Sequence, residues 1–343
     1  MPYALEPLSG SVAALGFSWR KRALVRRFAE RADIRFVSSV RAIEPGSTLL
    51  LWGSASVPSG VPEGIKVVRM EDGFLRSVGL GADLTTPVSW VMDGIGIYYD
   101  ATRPSGLEQM LQHGQFAKAQ LHRAAALRER LVQAGLTKYN LAAPAWVRPA
   151  GRRNVVLVVG QVESDASIAL GAVDIRTNMG LLRAVREARP DAWVVYKPHP
   201  DVVAGLRSLG ENETRAGDLC DEVLTDGSMH ELLMQVDEVH VMTSLTGFEA
   251  LLRRKTVVCY GMPFYAGFGL TEDRHSLRRR TRVATLDELV CAALLEYPVY
   301  LSRTTRRRCS PEQALQELLD WRRRSPQGIA RWRKWLRPLL ARR

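Results

Sequence analysis

The chain has 343 residues, 46% hydrophobic and 24% charged, which is too apolar for intrinsic disorder and long enough for two domains. Of the net charge of +12, most sits at the end, where residues 302–343 hold 13 lysines and arginines against 3 acidic residues. The basic character therefore belongs to a tail. The four cysteines (Cys220, Cys259, Cys291, Cys309) fit no CxxC spacing, which argues against a disulfide framework or a zinc knuckle. No apolar run reaches the ~18 residues of a membrane span. The opening MPYALEPLSG has neither a basic n-region nor an apolar h-region, so a cytoplasmic protein is expected.

In chain order, Val12–Phe17 reads as a strand and Trp19–Arg31 as a helix with Val25 and Phe28 inward. Ile34–Val37, Thr48–Trp52, Ile65–Met70 and Val88–Tyr99 follow as β-rich runs, and residues 107–135 as one long helical stretch. A breaker segment, Ala142–Arg153, holds Pro144, Pro149 and Gly151. The second half restarts with Val155–Val159, a β-branched run suited to a strand buried on both faces. Thr177–Ala188 is a helix, Ala192–Tyr196 a strand, Gly227–Val236 a helix and Glu238–Met242 a strand. Gly247–Arg253 then reads as a helix and Thr256–Tyr260 as a strand, while residues 310–343 form basic helices with Trp321, Trp332 and Trp335. This βα alternation predicts an α/β protein of GT-B-like architecture, with two doubly wound Rossmann-type domains and parallel sheets facing a crevice. The expected division is 1–145, 152–300 and a basic tail, 301–343. Some epimerases and phosphorylases share that architecture, so function must come from the site.

Four polar clusters fall at strand ends, where doubly wound sheets bind ligands. Gln161-Val-Glu-Ser-Asp165-Ala-Ser167 follows the first strand of the second half; a carboxylate there suits attack on a sugar carbon, or else a helix N-cap. Lys197-Pro-His199-Pro200 fixes a histidine between prolines and beside a lysine, a pairing for phosphate or for proton donation. Thr243-Ser244-Leu245-Thr246-Gly247-Phe248-Glu249 opens a helix with small hydroxyl residues and suits an anion, with Glu249 available for a ribose hydroxyl. The same segment also reads as a capping box of Thr246 and Glu249. Glu71-Asp72-Gly73-Phe74 ends a strand of the first half and offers an acceptor-side base, or an ordinary turn. Gly94-Ile-Gly96 lacks the rest of a dinucleotide fingerprint, and no DxD or HExxH demands a metal. Pro263–Gly269 reads as an aromatic pocket wall or as core.

EDGFLRSVGLG (71–81), GIYYDATRPS (96–105), GQVESDASI (160–168), YKPHPDV (196–202), TSLTGFEALLRRK (243–255) and YGMPFYAGFGLTEDR (260–274) together resemble the capsular polysaccharide synthesis family. That family includes KpsC-type β-Kdo transferases. The resemblance runs from about residue 70 to residue 275; the first 65 residues agree in pattern only, and the basic tail lies outside it.

The resemblance implies retaining transfer of 3-deoxy-D-manno-oct-2-ulosonic acid (Kdo) from CMP-Kdo to a lipid-linked glycan at the inner membrane. It places the catalytic aspartate at Asp165 and a phosphate-binding histidine at His199. It puts nucleotide contacts at Ser244, Thr246 and Gly247, and an acidic residue of the first domain at Glu71. Gln161, Lys197 and Glu249 join the expected nucleotide site, and no metal or other cofactor is expected. KpsC-type proteins usually carry two such modules, whereas one is read here, so a partner module, a single linkage or another ulosonic acid all fit. The alternative is a non-catalytic nucleotide- or glycan-binding component of capsule export. The tryptophans among the arginines of residues 302–343 suit an anionic membrane surface at least as well as nucleic acid, and a solvated basic face is the plainer reading.

Overall fold

The computed structural model describes residues 8–77, 86–138 and 144–324. Its first half runs β1 (Gly10–Leu15), α1 (Trp19–Phe28), β2 (Ala32–Val37), β3 (Thr48–Trp52), β4 (Lys66–Asp72), β5 (Ser89–Asp93), α2 (Gly106–His113) and α3 (Lys118–Gln133). Then come β6 (Val155–Val159), α4 (Ala166–Gly171), α5 (Asn178–Ala188), β7 (Trp193–Lys197), α6 (Pro200–Val203), β8 (Glu222–Val223) and α7 (Met229–Gln235). The chain continues through β9 (Glu238–Val241), α8 (Leu245–Leu252), β10 (Thr256–Cys259), β11 (Glu272–Asp273) and α9 (Leu286–Val290). It closes on β12 (Pro298–Leu301), β13 (Arg308–Cys309) and α10 (Pro311–Arg324). Trp332 and Trp335 lie outside the described residues, as do residues 78–81 of the first motif.

The second sheet has the order β11-β10-β9-β6-β7-β8 and is parallel throughout. All five residues of β6 are buried, as a strand covered on both faces requires. The chain winds from β6 through β7 to β8, then crosses to β9 on the other side of β6. The switch point therefore lies between β6 and β9.

The first sheet has the order β13-β12-β5-β4-β3-β1-β2 and is mixed, which corrects the expectation of parallel strands. β1 to β4 pair in parallel, but β5 runs antiparallel to β4 and to β12. The chain leaves β4 and returns at the same end: Gly73 N–H donates to Ser89 O (3.0 Å) and Val88 N–H to Arg76 O (2.9 Å). A return at the same end needs no crossover and makes an antiparallel neighbour. β12 and β13 also belong here, so the expected boundary at residue 300 runs through β12.

β5 stops at Asp93, well short of Tyr99. The buried Asp93 carboxylate accepts from the N–H of Ile95 (2.8 Å), Gly96 (3.1 Å) and Gly106 (2.7 Å), and turns the chain. The expected long helix is broken at Gly114, where a Cβ would overlap the Met110 carbonyl oxygen. One core joins the two sheets, running from Phe74, Val88 and Val91 to Val155, Leu157, Val159 and Val241.

Candidate active site

Three loops leave the second sheet around its switch point. Gln161, after β6, and Thr243, after β9, clasp each other: Gln161 Nε2 donates to Thr243 Oγ1 (3.0 Å), and Thr243 N–H donates to Gln161 Oε1 (2.9 Å). Gln161 also exchanges backbone bonds with the Asn178 side chain, 2.9 Å each way. Glu163 accepts from the N–H of Asn178 (2.7 Å) and of Glu211 (2.9 Å). Gln161 and Glu163 thus brace the loop.

Asp165 is different. It occupies the N-cap position of α4 with extended backbone (φ −74°, ψ 146°), yet its carboxylate makes no capping bond and is exposed. The cap reading of this residue is therefore not met. From β7, Lys197 and His199 approach the same region. His199 Nδ1 accepts from Asp201 N–H (3.1 Å), which puts the neutral ring's proton on Nε2 and leaves that N–H as a donor. Burial holds His199 below the ordinary imidazole value; Lys138 and Arg207 push the same way, and Asp201 and Asp165 oppose. Burial also lowers the Lys197 ammonium, with Asp226 opposing.

α8 begins after Ser244, whose Oγ accepts from Thr246 N–H (3.2 Å). The cap is thus Ser244, and the expected pairing of Thr246 with Glu249 is not made. Glu249 is buried, and its Oε1 accepts from Lys138 N–H (2.6 Å). Gly247 has a packing reason: a Cβ there would overlap the Tyr265 hydroxyl, which donates to Ser244 O (2.5 Å).

Across from these loops stands the end of β4. Asp72 is committed, accepting from Arg76 Nε (2.6 Å) and Trp90 Nε1 (2.9 Å). Glu71 accepts from Asp72 N–H (2.9 Å) and, more distantly, from the Tyr99 hydroxyl (3.4 Å). Burial pushes its carboxyl up to about 7; Asp72 adds to the rise, and Lys21 and Lys138 oppose it. Gly53 makes room here, since a Cβ would lie 2.9 Å from Glu71 Oε2 and 2.7 Å from the Tyr99 hydroxyl.

Tyr98, Tyr99 and Lys138 join the halves, and sequence reasoning nominated none of them. Burial raises the Tyr98 hydroxyl well above its ordinary value, and Glu71, Tyr99, Asp72 and Asp165 all add to this. Tyr98 is thus within electrostatic reach of a carboxylate from each half. Lys138 acts likewise on Glu71, His199 and Glu249. Ala101 N–H donates to Leu170 O (3.0 Å), tying the Tyr98–Tyr99 segment to α4. The signal available was Tyr98-Tyr99-Asp100, one residue after the Gly94–Gly96 turn.

The four cysteines are free, and burial raises each thiol above its ordinary value, so none is set up as a nucleophile. Among the described residues no cluster of three or more His, Cys, Asp or Glu is placed to hold a metal, and no helix is long and apolar enough to cross a membrane.

Two α/β sheets with polar loops that carry an exposed aspartate, a prolyl-framed histidine and a half-buried glutamate define the class, and comparison with known proteins agrees. The family described as "Capsule polysaccharide biosynthesis protein" matches residues 60–147 and 113–303. The chain belongs to this family. It is 40% identical over 324 residues to the capsule polysaccharide modification protein LipA of Neisseria meningitidis serogroup B, covering 92% of this chain and 46% of that protein. The chain thus spans about half the length of that relative.

Two solved structures are similar along nearly their whole length. One is the β-Kdo 2,7 transferase of Thermosulfurimonas dismutans KpsC, at 39% identity and TM-score 0.76, covering 91% of this chain and 99% of that one. The other is the β-Kdo 2,4 transferase of the same protein, at 30% identity and TM-score 0.78, covering 92% and 99%.

Proposed function

We propose that this chain is a retaining glycosyltransferase of GT-B type, moving Kdo from CMP-Kdo to a lipid-linked glycan in capsule polysaccharide biosynthesis, at the cytoplasmic face of the inner membrane. The observation that carries the reading is a tie between the segments that hold two unlike carboxyls: the Tyr99 hydroxyl donates to Glu71 (3.4 Å), and Ala101 N–H, two residues on, donates to Leu170 O (3.0 Å) of the helix that Asp165 opens. Family membership and the likeness to two Kdo transferases support the donor sugar.

In the first step an Asp165 carboxylate oxygen bonds to the anomeric carbon as the bond from that carbon to the CMP phosphate breaks. The electron pair leaves with CMP. Lys197, the His199 Nε2–H and the Ser244 and Thr246 hydroxyls at the start of α8, beside Gly247, meet the growing phosphate charge. In the second step an acceptor hydroxyl gives its proton to Glu71 and attacks the same carbon, releasing Asp165. Two inversions restore the β configuration. A carboxyl near 7 suits that proton transfer, because it takes and returns a proton at neutral pH. Gln161 and Glu249 serve this site by bracing its loops.

The test is incubation with CMP-Kdo, generated in situ, and a synthetic Kdo-terminated lipid acceptor. Mass spectrometry is expected to show a gain of one Kdo, and NMR a β linkage. CMP binding with neither transfer nor donor hydrolysis would favour a non-catalytic component of capsule export.

A further inference from the structure

A cavity of about 290 Å³ opens on the first sheet away from the loops just described, lined by Leu24, Arg27, Thr86, Pro87, Leu301, Ser302, Arg303 and Arg306. Three arginines from two separated stretches of chain line it. Among the described residues none of the three forms a salt bridge, and no side-chain hydrogen bond is made by Arg27, Arg303 or Arg306. The nearby carboxylates are spent elsewhere: Glu30 on Arg308 (3.3 Å), and Glu317 on Ser302 Oγ (2.7 Å) and on the Arg303 N–H (2.5 Å). Of these, only Glu317 acts on the Arg303 guanidinium, so three cations on one wall leave positive charge that an anion would offset.

The wall is also built to hold its arginines. Ser302 Oγ accepts from the N–H of Thr304 (3.2 Å) and Thr305 (2.9 Å), closing a tight turn. Arg303 lies 3.3 Å over the Trp321 ring of α10. Arg306 adopts φ +59°, a left-handed backbone that non-glycine residues take at a cost.

The cavity lies at the same end of the first sheet as Glu71. Lys21, which acts on Glu71, precedes Arg27 by six residues on α1, about 9 Å of helix rise. Trp90, paired with Asp72 across the ladder, follows Pro87 of the β4–β5 return by three residues, about 10 Å of extended chain. An acceptor whose hydroxyl reaches Glu71 would therefore span to the cavity with its next few groups.

We propose that this cavity is an oxyanion subsite for the acceptor, with Arg27, Arg303 and Arg306 gripping either an acidic sugar's carboxylate or a lipid-linker phosphate a short saccharide length from the reacting hydroxyl. The assignment of the subsite to an acceptor rests on the transferase reading; the anion binding itself does not.

The test has a binding arm and a kinetic arm. Calorimetry measures free Kdo and, separately, dihexanoyl phosphatidylglycerol, binding to wild type and to Arg306→Gly and Arg303→Gln/Arg306→Gln. Arg306→Gly relieves the left-handed backbone as it removes the charge, so it is expected to fold at least as well as wild type. The expected result is salt-sensitive binding of one probe, weakened about tenfold or more in each variant and unchanged in Arg26→Gln. The probe that binds identifies the source of the anion. Kinetically, the acceptor KM rises about tenfold while kcat and acceptor-free donor hydrolysis hold. No binding of either probe to wild type, or equal binding to wild type and Arg306→Gly, overturns the subsite. Binding lost in the variants while wild type neither transfers nor hydrolyses CMP-Kdo keeps the subsite and removes the transferase.

Discussion

The two sheets each deliver one carboxyl to the same region, and they treat it in opposite ways. In the parallel sheet, Asp165 hangs from a loop at a helix cap position, exposed and without a capping bond. In the mixed sheet, Glu71 is carried on a strand, and burial pushes it up to about 7. Its neighbour Asp72 is tied down by Arg76 and Trp90. On the proposed mechanism the difference is a division of labour: a loop carboxylate with open approach suits bonding to carbon, and a half-buried strand carboxyl suits moving a proton. What fixes the roles is environment, since the two residue types differ by one methylene.

The largest way to break that division is Asp165→Asn. Transfer is expected to fall by roughly 10³-fold or more, with CMP binding retained. Thermal unfolding should barely move, because no cap bond is lost and asparagine caps as well as aspartate. Loss of transfer together with a large drop in midpoint would make Asp165 structural.

Glu71→Gln is expected to cost transfer roughly 10²-fold while acceptor-free consumption of CMP-Kdo continues. In the parent, transfer should rise with pH through about 7 and flatten above it. Stability runs the other way. The folded-state value lies above the ordinary 4.5, so the folded protein holds that proton more tightly than the unfolded chain. The contribution is full below about 4.5 and is lost as pH rises through about 7. Glu71→Gln should therefore melt higher than the parent at pH 8, and an equal or lower midpoint would count against the burial.

His199→Ala sharpens the donor side: the KM for CMP-Kdo is expected to rise about tenfold, with Glu71's pH profile preserved. Gly247→Ala should destabilise by about 1–3 kcal/mol through the clash with Tyr265, measured by denaturant midpoint. The smallest expectation is none at all: EDTA should leave the transfer rate unchanged, because the proposed mechanism gives the leaving phosphate to Lys197 and His199.

The winding of the second half was legible because its strands announce themselves, with β6 an unbroken β-branched run and polar loops directly after it. The antiparallel β5 was not legible. An apolar run reads the same in either direction, and the return shows only in the pairing of Gly73 with Ser89 and of Val88 with Arg76, far apart in sequence. Asp165 and His199 stood out by their strand-end positions. The bracing roles of Gln161 and Glu249 could not, since they depend on partners 82 and 111 residues away in sequence. Lys138 gave no local signal for the same reason: its importance comes from Glu71, His199 and Glu249 converging on it.

The most direct measurement is intact-protein and peptide mass spectrometry of Glu71→Gln after incubation with CMP-Kdo without acceptor. Removing the base slows the second step, so a gain of one Kdo is predicted, mapping to the peptide that contains Asp165 and absent from Glu71→Gln/Asp165→Asn. Turnover of CMP-Kdo with no adduct, or an adduct on another residue, would contradict the assignment of Asp165 as the group that bonds to the sugar.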